Sequence, residues 1–322
     1  MKQQQRLRRH TRTVTRARSV TAVVAAALAV GVLPATATAA PNGPVPLAAG
    51  PAQHRAATAP SPRQIVLQGA VNVRDLGGYR TYDGGRVRYG VAYRADALNR
   101  TTDADIATLG RLGLREAVDF RVPVELQYDG PDRLPAGLAA TPRPVTDSGL
   151  YAQMVTAIGS RDPATQDAML GHGKAEALMR TVYRAFVSDA DARAQFGATL
   201  KDLASGRGPL LFHCSSGKDR TGWLSYVLLR AVGVPAGTAE QDYLASNGFR
   251  AAADAALRAG LKQSGVMQDP DLLIPLQEVR GEYLAAALDE LASRYGDLYG
   301  YLTRGLGLPL PDLAALRTRL VP

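Results

Sequence analysis

The run His213-Cys214-Ser215-Ser216-Gly217-Lys218-Asp219-Arg220-Thr221-Gly222 decides how this chain reads. Before it, Pro209-Leu210-Leu211-Phe212 is a short apolar segment bounded by Gly208, which reads as a buried strand. After it, the apolar stretch from Trp223 to Val232 reads as a helix. The run is therefore a loop from a strand into a helix N-terminus, with the pattern Cys-x5-Arg. Such a loop turns successive backbone N–H groups inward, and these donors, with the positive helix end, form an anion site of phosphate size. Gly217 allows close backbone approach and a positive φ. Arg220 can fork onto two phosphate oxygens. Cys214 sits in the same positive field, which favours thiolate, the nucleophilic form. Lys218 is expected to add a second cation at the rim. Thr221, or Ser215, is expected to donate a hydroxyl to the sulfur. A lone cysteine is more often a buried, inert thiol; the flanking His, Gly, Lys, Asp, Arg and Thr weigh against that here.

Outward from the loop, apolar periodicity is continuous from about Gln64 to the C-terminus, with no internal repeat, so residues 64–322 read as one domain. Its first part looks strand-rich. Tyr79–Thr81 and Arg86–Arg88 flank Tyr82-Asp83-Gly84-Gly85, a hairpin signal. Val91–Arg94 and Arg115–Phe120 read as strands. Thr102 followed by Asp105 predicts a capped helix to about Leu112. Later segments predict helices at about 174–187, 190–204, 220–232, 236–247, 271–292 and 311–320. Strands early with helices wrapped around them give an α/β fold.

The 322 residues, 46% hydrophobic and 21% charged, are ordinary globular usage and exclude disorder, collagen and coiled coil for the whole chain. A single cysteine excludes an internal disulfide and a Cys-cluster metal site. The formal charge of +9 does not point to nucleic acid. Residues 1–39 carry seven Lys and Arg and no acid, which leaves +2 for the remainder. That segment, with the 14-residue apolar run Val20–Leu33 and Ala37-Thr38-Ala39, reads as a secretory signal peptide cleaved near Ala39. The run is short for a membrane span of ~20 residues. Residues 40–63, rich in Pro, Ala and Gly, read as a flexible linker. The expected location is extracellular, with no stable membrane insertion after cleavage.

HCSSGKDRTG resembles the signature loop of the cysteine-dependent protein tyrosine phosphatases. Its Lys-Asp pair is similar to the bacterial secreted branch of tyrosine/serine phosphatases that includes the mycobacterial phosphatase B type. Asn72-Val73-Arg74-Asp75-Leu76-Gly77-Gly78 resembles that branch's NxRDLGG motif, and Tyr93-Arg94-Ala95-Asp96-Ala97-Leu98 its FRS-x-x-L motif. Asp119-Phe120-Arg121-Val122-Pro123-Val124-Glu125 is similar to DLR-x-x-x-E, and Asp242–Asn247 and Glu282-Tyr283-Leu284 look like its C-terminal helical motifs. The resemblance spans roughly residues 65–305. It implies a central, mainly parallel sheet flanked by helices, with a helix-rich C-terminal half.

The resemblance also implies roles. Cys214 would attack phosphorus and form a phosphocysteine, and Arg220 with the loop N–H groups would stabilise the transition state. His213, Ser215, Ser216, Gly217, Lys218, Thr221 and Arg121 would form the substrate-binding set. His213 would orient the loop. No cofactor or metal is required, since Arg220 and backbone dipoles neutralise the phosphoryl charge. The general acid is open between Asp147, ranked first, Asp219 in the loop, and Asp119 at a strand end. Arg121 and Glu125 read as a bracing pair. Residues 148–185 read either as a helical pair packed on the core or as a lid. Substrates would be phosphotyrosine, phosphoserine/threonine in proteins, and phosphoinositides. Lys218 favours more than one phosphate. The alternatives are an inositol-polyphosphate (phytase-like) phosphatase, a rhodanese-like sulfur transferase, and a non-catalytic phosphate-binding module.

Overall fold

The computed structural model describes residues 63–322. The signal-peptide segment and nearly all of the linker segment lie outside the described residues. Along the chain run β1 (Arg74–Asp75), β2 (Ala92–Ala95), α1 (Asp103–Arg111), β3 (Glu116–Asp119), α2 (Pro123–Asp129) and β4 (Ala140–Pro142). They are followed by α3 (Leu150–Ser160), α4 (Pro163–Leu170), α5 (Lys174–Ser188), α6 (Ala190–Ala204), β5 (Leu210–His213) and α7 (Arg220–Ala231). The chain then forms α8 (Ala236–Gln263), a 3₁₀ turn (Pro270–Leu273), α9 (Ile274–Gln277), α10 (Gly281–Tyr295), α11 (Leu298–Gly300), a π-helical turn (Tyr301–Gly305) and α12 (Leu310–Leu320).

The sheet order is β1-β2-β5-β3-β4. β5 lies parallel between β2 and β3, with Phe212 opposite both Arg94 and Val118, and His213 opposite both Ala95 and Asp119. β4 adds in parallel beside β3, and β1 is antiparallel at the other edge. This is the expected α/β architecture with a mainly parallel sheet. Three strands ending level with His213 bring their C-terminal ends together, where open parallel sheets bind ligands.

Successive side chains of a strand face opposite ways. Leu210 and Phe212 enter the main core with Phe120, Phe196 and Trp223, while Leu211 joins a smaller core with Val73, Tyr93, Leu98 and Leu109. The sheet is thus covered on both faces. Helix α7 is buried on every side from Arg220 to Leu229, as expected of a helix apolar all round. Thr102 caps α1 as predicted: its side chain accepts from the Asp105 N–H and the Asp105 side chain accepts from the Thr102 N–H.

Several elements differ from expectation. The hairpin at 79–88 forms, with Arg80 bridged to Arg86 and a turn at Gly84, where φ is +86°, but it stays outside the five-stranded sheet. The helix expected at 236–247 continues to Gln263. The one expected at 271–292 breaks around Glu278–Arg280 into a 3₁₀ turn, α9 and α10. Helices α3 and α4 pack on the main core through Ala157, Ile158 and Leu170, which is the helical-pair arrangement. Among the described residues no helix is long and apolar enough to cross a membrane.

Candidate active site

The loop 214–219 closes the C-terminal end of β5 and delivers Arg220 to the first turn of α7. Three consecutive carbonyls of the loop are tied down on its outer side. Ser215 O accepts from the Ala97 N–H at 3.2 Å. Ser216 O and Gly217 O accept from Asn72 Nδ2 at 3.1 and 3.0 Å. Gly217 O also accepts from Arg94 Nη2 at 2.7 Å. A trans peptide unit points its N–H opposite its C=O. The N–H groups of Ser216, Gly217 and Lys218 therefore face the concave side, where they converge as anion donors. Gly217 has φ +63°, and a Cβ there would stand 2.4 Å from Ala95 O. Only glycine fits against the end of β2 at this position.

Behind the loop lies a buried charge network built from the separate motifs. Asp242 on α8 accepts from Arg74 Nε at 3.0 Å, Arg94 Nη1 at 2.6 Å and Tyr79 OH at 2.9 Å. Ser246 Oγ accepts from both arginines. Burial and the neighbouring Arg74 push Arg94 down to about 10. Burial opposes the charge on Asp242, but the two arginines outweigh it and hold its carboxyl well below the usual carboxylate range. The network fixes Arg94, and Arg94 fixes Gly217.

Arg220 is buried and locked by Glu125, which accepts from Nη1 at 2.6 Å and from Nη2 at 2.5 Å. Its Nη1 also reaches Phe120 O at 3.1 Å. Burial opposes the Arg220 charge. Glu125, with smaller contributions from Cys214 and Asp147, more than offsets it, and the guanidinium pKa goes up. Glu125 stands at the start of α2, where Pro123 sets the first turn and Glu125 Oε2 accepts the Val122 N–H at 2.7 Å. The expected Arg121–Glu125 pair is not formed. Arg121 Nη2 bonds Asp119 Oδ2 and Asp132 Oδ1, each at 2.8 Å, and its side chain is fully buried. Arg121 is thus committed to Asp119, Asp132 and the Gly130 carbonyl.

The remaining expected residues divide clearly. Cys214 is 1% exposed at the base of the loop. Thr221 Oγ1 is buried without a hydrogen-bond partner among the described residues, and Ser215 Oγ donates to Glu125 Oε1 at 2.6 Å. Neither hydroxyl bonds the sulfur. Lys218 is not at the rim: it is 2% exposed and its Nζ donates to Asp219 Oδ2 at 2.7 Å. Asp219 Oδ1 accepts from Tyr183 OH at 2.9 Å, and Tyr243 OH donates to Tyr183 OH at 2.8 Å. Asp147 is the end anchor of α3, its oxygens accepting the Gly149 and Tyr151 N–H groups at 3.0 and 2.8 Å. Asp119 holds Arg121 through Nε and Nη2.

His213 lies with Nε2 2.9 Å from Asp132 Oδ2 and Nδ1 3.8 Å from Asp119. Asp119, Asp132 and His213 are close enough together to hold a cation. The Arg121 guanidinium already supplies that positive charge between the two carboxylates, so the cluster is an ion-pair group. Burial opposes a charge on His213, but Asp132 and then Asp119 outweigh it and raise its pKa above the ordinary imidazole value. A raised folded value stabilises fully below the unfolded value of about 6.5 and less as pH climbs through the folded one. The melting-temperature gap between wild type and His213→Gln is therefore expected to be widest near pH ~6 and to narrow in alkali. A gap that widens with pH would contradict the assignment of charge.

Asp132, beside His213 and Arg121, and two further residues bordering the loop were not singled out from sequence. Asp129 ends α2 and Arg250 lies on α8. Both line a cavity of about 190 Å³ that also touches Ser215 and Ser216. Arg250 bonds Asp254 Oδ1 at 2.6 Å and lies 3.5 Å from Asp96 Oδ2.

The central strand of a mainly parallel sheet thus runs into a Cys-x5-Arg loop and a buried helix. A family model, the tyrosine phosphatase family, matches residues 65–322, and the chain belongs to that family as a phosphatase enzyme. It is 30% identical over 257 residues to the triple specificity protein phosphatase PtpB of Mycobacterium tuberculosis, covering 73% of this chain and 91% of that protein. A Cupriavidus necator protein with a provisional tyrosine-protein phosphatase name is 34% identical over 253 residues, 76% of this chain and 84% of that one. A tyrosine-protein phosphatase of Nostoc commune is 28% identical over 236 residues, 70% of this chain and 73% of that one.

Proposed function

We propose that this enzyme hydrolyses phosphate monoesters, phosphotyrosine first among them, through a phosphocysteine on Cys214 and without a metal. The observation that carries this reading is the loop itself. Three N–H groups turned to the loop's concave side, a guanidinium locked by Glu125 and a buried sulfur all belong to one short loop. The ester's phosphoryl oxygens bind the N–H groups of 216–218 and Arg220. Cys214 Sγ attacks phosphorus as the ester P–O bond breaks, and the departing oxygen takes a proton. Water then attacks the S–P bond, releasing inorganic phosphate and restoring the sulfur. The donors meet charge that develops on the equatorial oxygens, where such preorganised groups are worth most.

The neighbouring cavity supports an aryl substrate, since a cavity of about 150 Å³ already accepts benzene and this one holds about 190 Å³. PtpB's name records three specificities, so phosphoserine/threonine and phosphoinositides belong in the same test. Lys218, buried against Asp219, gives no spare cation for a second phosphate, and this weighs against the inositol-polyphosphate reading. Action outside the cytoplasm is also part of the proposal and rests on the leader sequence. N-terminal sequencing of protein recovered from culture medium should begin near residue 40. The substrate test is a panel of phosphotyrosine, phosphoserine and inositol phosphates in EDTA. Phosphotyrosine is expected to turn over fastest and to be indifferent to chelator. Loss of turnover in EDTA would contradict the metal-free step.

A further inference from the structure

Glu125 and Asp129 are four residues apart on α2 and so share one helix face. Because Glu125 is locked onto Arg220, Asp129 is carried to the same side, with Oδ2 3.5 Å from Ser215 Oγ. Its Oδ1 accepts from Tyr151 OH at 3.0 Å. Asp129, Tyr151, Ser215 and Ser216 line one cavity, joined by the apolar Met154 and Leu257. We propose that Asp129 is the proton donor to the departing oxygen of the ester, and that this cavity receives the departing group. The inference rests on the phosphatase reading above.

The other carboxylates around the loop are committed. Asp147 accepts two backbone N–H groups at the start of α3. Asp219 accepts from Lys218 and Tyr183. Asp119 is held by Arg121. Asp96, across the cavity, accepts the Val71 and Asn72 N–H groups and faces Arg250, and Asp254 takes Arg250 as well. Asp129 accepts one phenol hydroxyl, with Ser215 at the edge of bonding distance, and its carboxylate borders the cavity. The groups facing it are Glu125 on its own helix, Arg121 before that helix, Arg100 after β2 and Tyr151 on α3. Burial raises its pKa and Glu125 adds to this, while Tyr151, Arg121 and Arg100 oppose. A carboxyl that stays protonated to higher pH suits a proton donor.

The protons balance. As the S–P bond forms and P–O breaks, the departing oxygen takes the Asp129 proton. The resulting carboxylate takes a proton from the water that attacks S–P, and the acid is restored. Expected activity falls with rising pH as Asp129 ionises.

The test compares the wild-type enzyme with Asp129→Asn across aryl phosphates of graded phenol acidity. Asp129→Asn should hydrolyse nitrophenyl phosphate within a few-fold of wild type. It should lose on the order of 10²- to 10³-fold on phenyl phosphate, whose departing oxygen needs the proton. Asp129→Glu should recover part of that loss. Equal loss on every ester, or no loss, overturns the proposal, as does a selective loss appearing instead in Asp147→Asn or Asp219→Asn. Tyr151→Phe gives a readout that leaves Asp129 in place. It removes a bond that favours the carboxylate, so the alkaline limb of kcat/KM should move to higher pH. An unmoved limb overturns the proposal even where Asp129→Asn fails to fold. If wild-type turnover survives Cys214→Ser, the phosphatase mechanism fails. If turnover needs Cys214 but ignores leaving-group acidity at Asp129, this inference alone fails.

Discussion

Cys214→Ser is expected to lower aryl phosphate turnover by on the order of 10⁴-fold or more, while inorganic phosphate still binds. The substitution exchanges a sulfur for an oxygen of similar reach in a site that is 1% exposed. A serine hydroxyl there keeps its proton, and the loop provides no base to remove it: His213 lies behind the loop against Asp132. The anion donors are untouched, because the carbonyls of 215–217 stay tied to Ala97, Asn72 and Arg94. Arg220 stays on Glu125. Phosphate affinity measured by calorimetry should therefore change by no more than a few-fold, separating binding from chemistry. A variant that retained even a tenth of the activity would remove the sulfur from the reaction. One that lost phosphate affinity together with turnover would show that the substitution had broken the loop.

Asp242→Asn is expected to be the most destabilising conservative change behind the site. It leaves Arg74 and Arg94 buried with no full counter-charge, and removing one partner of a buried ion pair costs about 3–5 kcal/mol. For a domain of this size, each kcal/mol lowers the melting temperature by about 2–4 °C. The sign with pH follows from the depressed Asp242 value. The carboxylate stabilises fully above the ordinary carboxylate range, and that contribution disappears as pH falls through the folded value. The gap between wild type and Asp242→Asn should thus be widest near neutrality and close in acid. Thermal melting across pH checks this, and a gap that grows in acid would contradict it. Phosphate affinity should fall as well, since Arg94 reaches Gly217 O from this network.

Legibility in the sequence followed distance along the chain. The loop 213–221 is contiguous, so strand, anion loop and helix were all readable from one run. Helices with long periodic faces, such as α5 and α6, appeared where predicted. The short elements did not. β4 spans Ala140-Thr141-Pro142 at a sheet edge, where proline is tolerated and no alternation can show. α2 is seven residues long, and its sequence trace is Pro123 followed by Glu125.

Arg74 and Asp242 are 168 residues apart, so each belonged to a recognisable motif while their pairing was invisible. Direction was the other missing quantity. Lys218 looked like a rim cation because sequence carries no sign of which way a loop side chain turns. Its neighbour Asp219 takes it inward, beside Tyr183. Arg121 and Glu125 read as a bracing pair, yet Glu125 faces Arg220 across the loop. The four-residue spacing of Glu125 and Asp129 was the available signal for Asp129, and it gains meaning once Glu125's partner is known.

The central claim is a covalent phosphocysteine. Its most direct measurement is rapid mixing of the wild-type enzyme with nitrophenyl phosphate, acid quench and peptide mass spectrometry. The account predicts one phosphoryl group on the peptide that carries Cys214, formed before steady-state turnover and absent from Cys214→Ser. Full turnover with no phosphorylated Cys214 peptide at any quench time, and a single inversion of configuration at phosphorus, would mean direct attack by water and would contradict it.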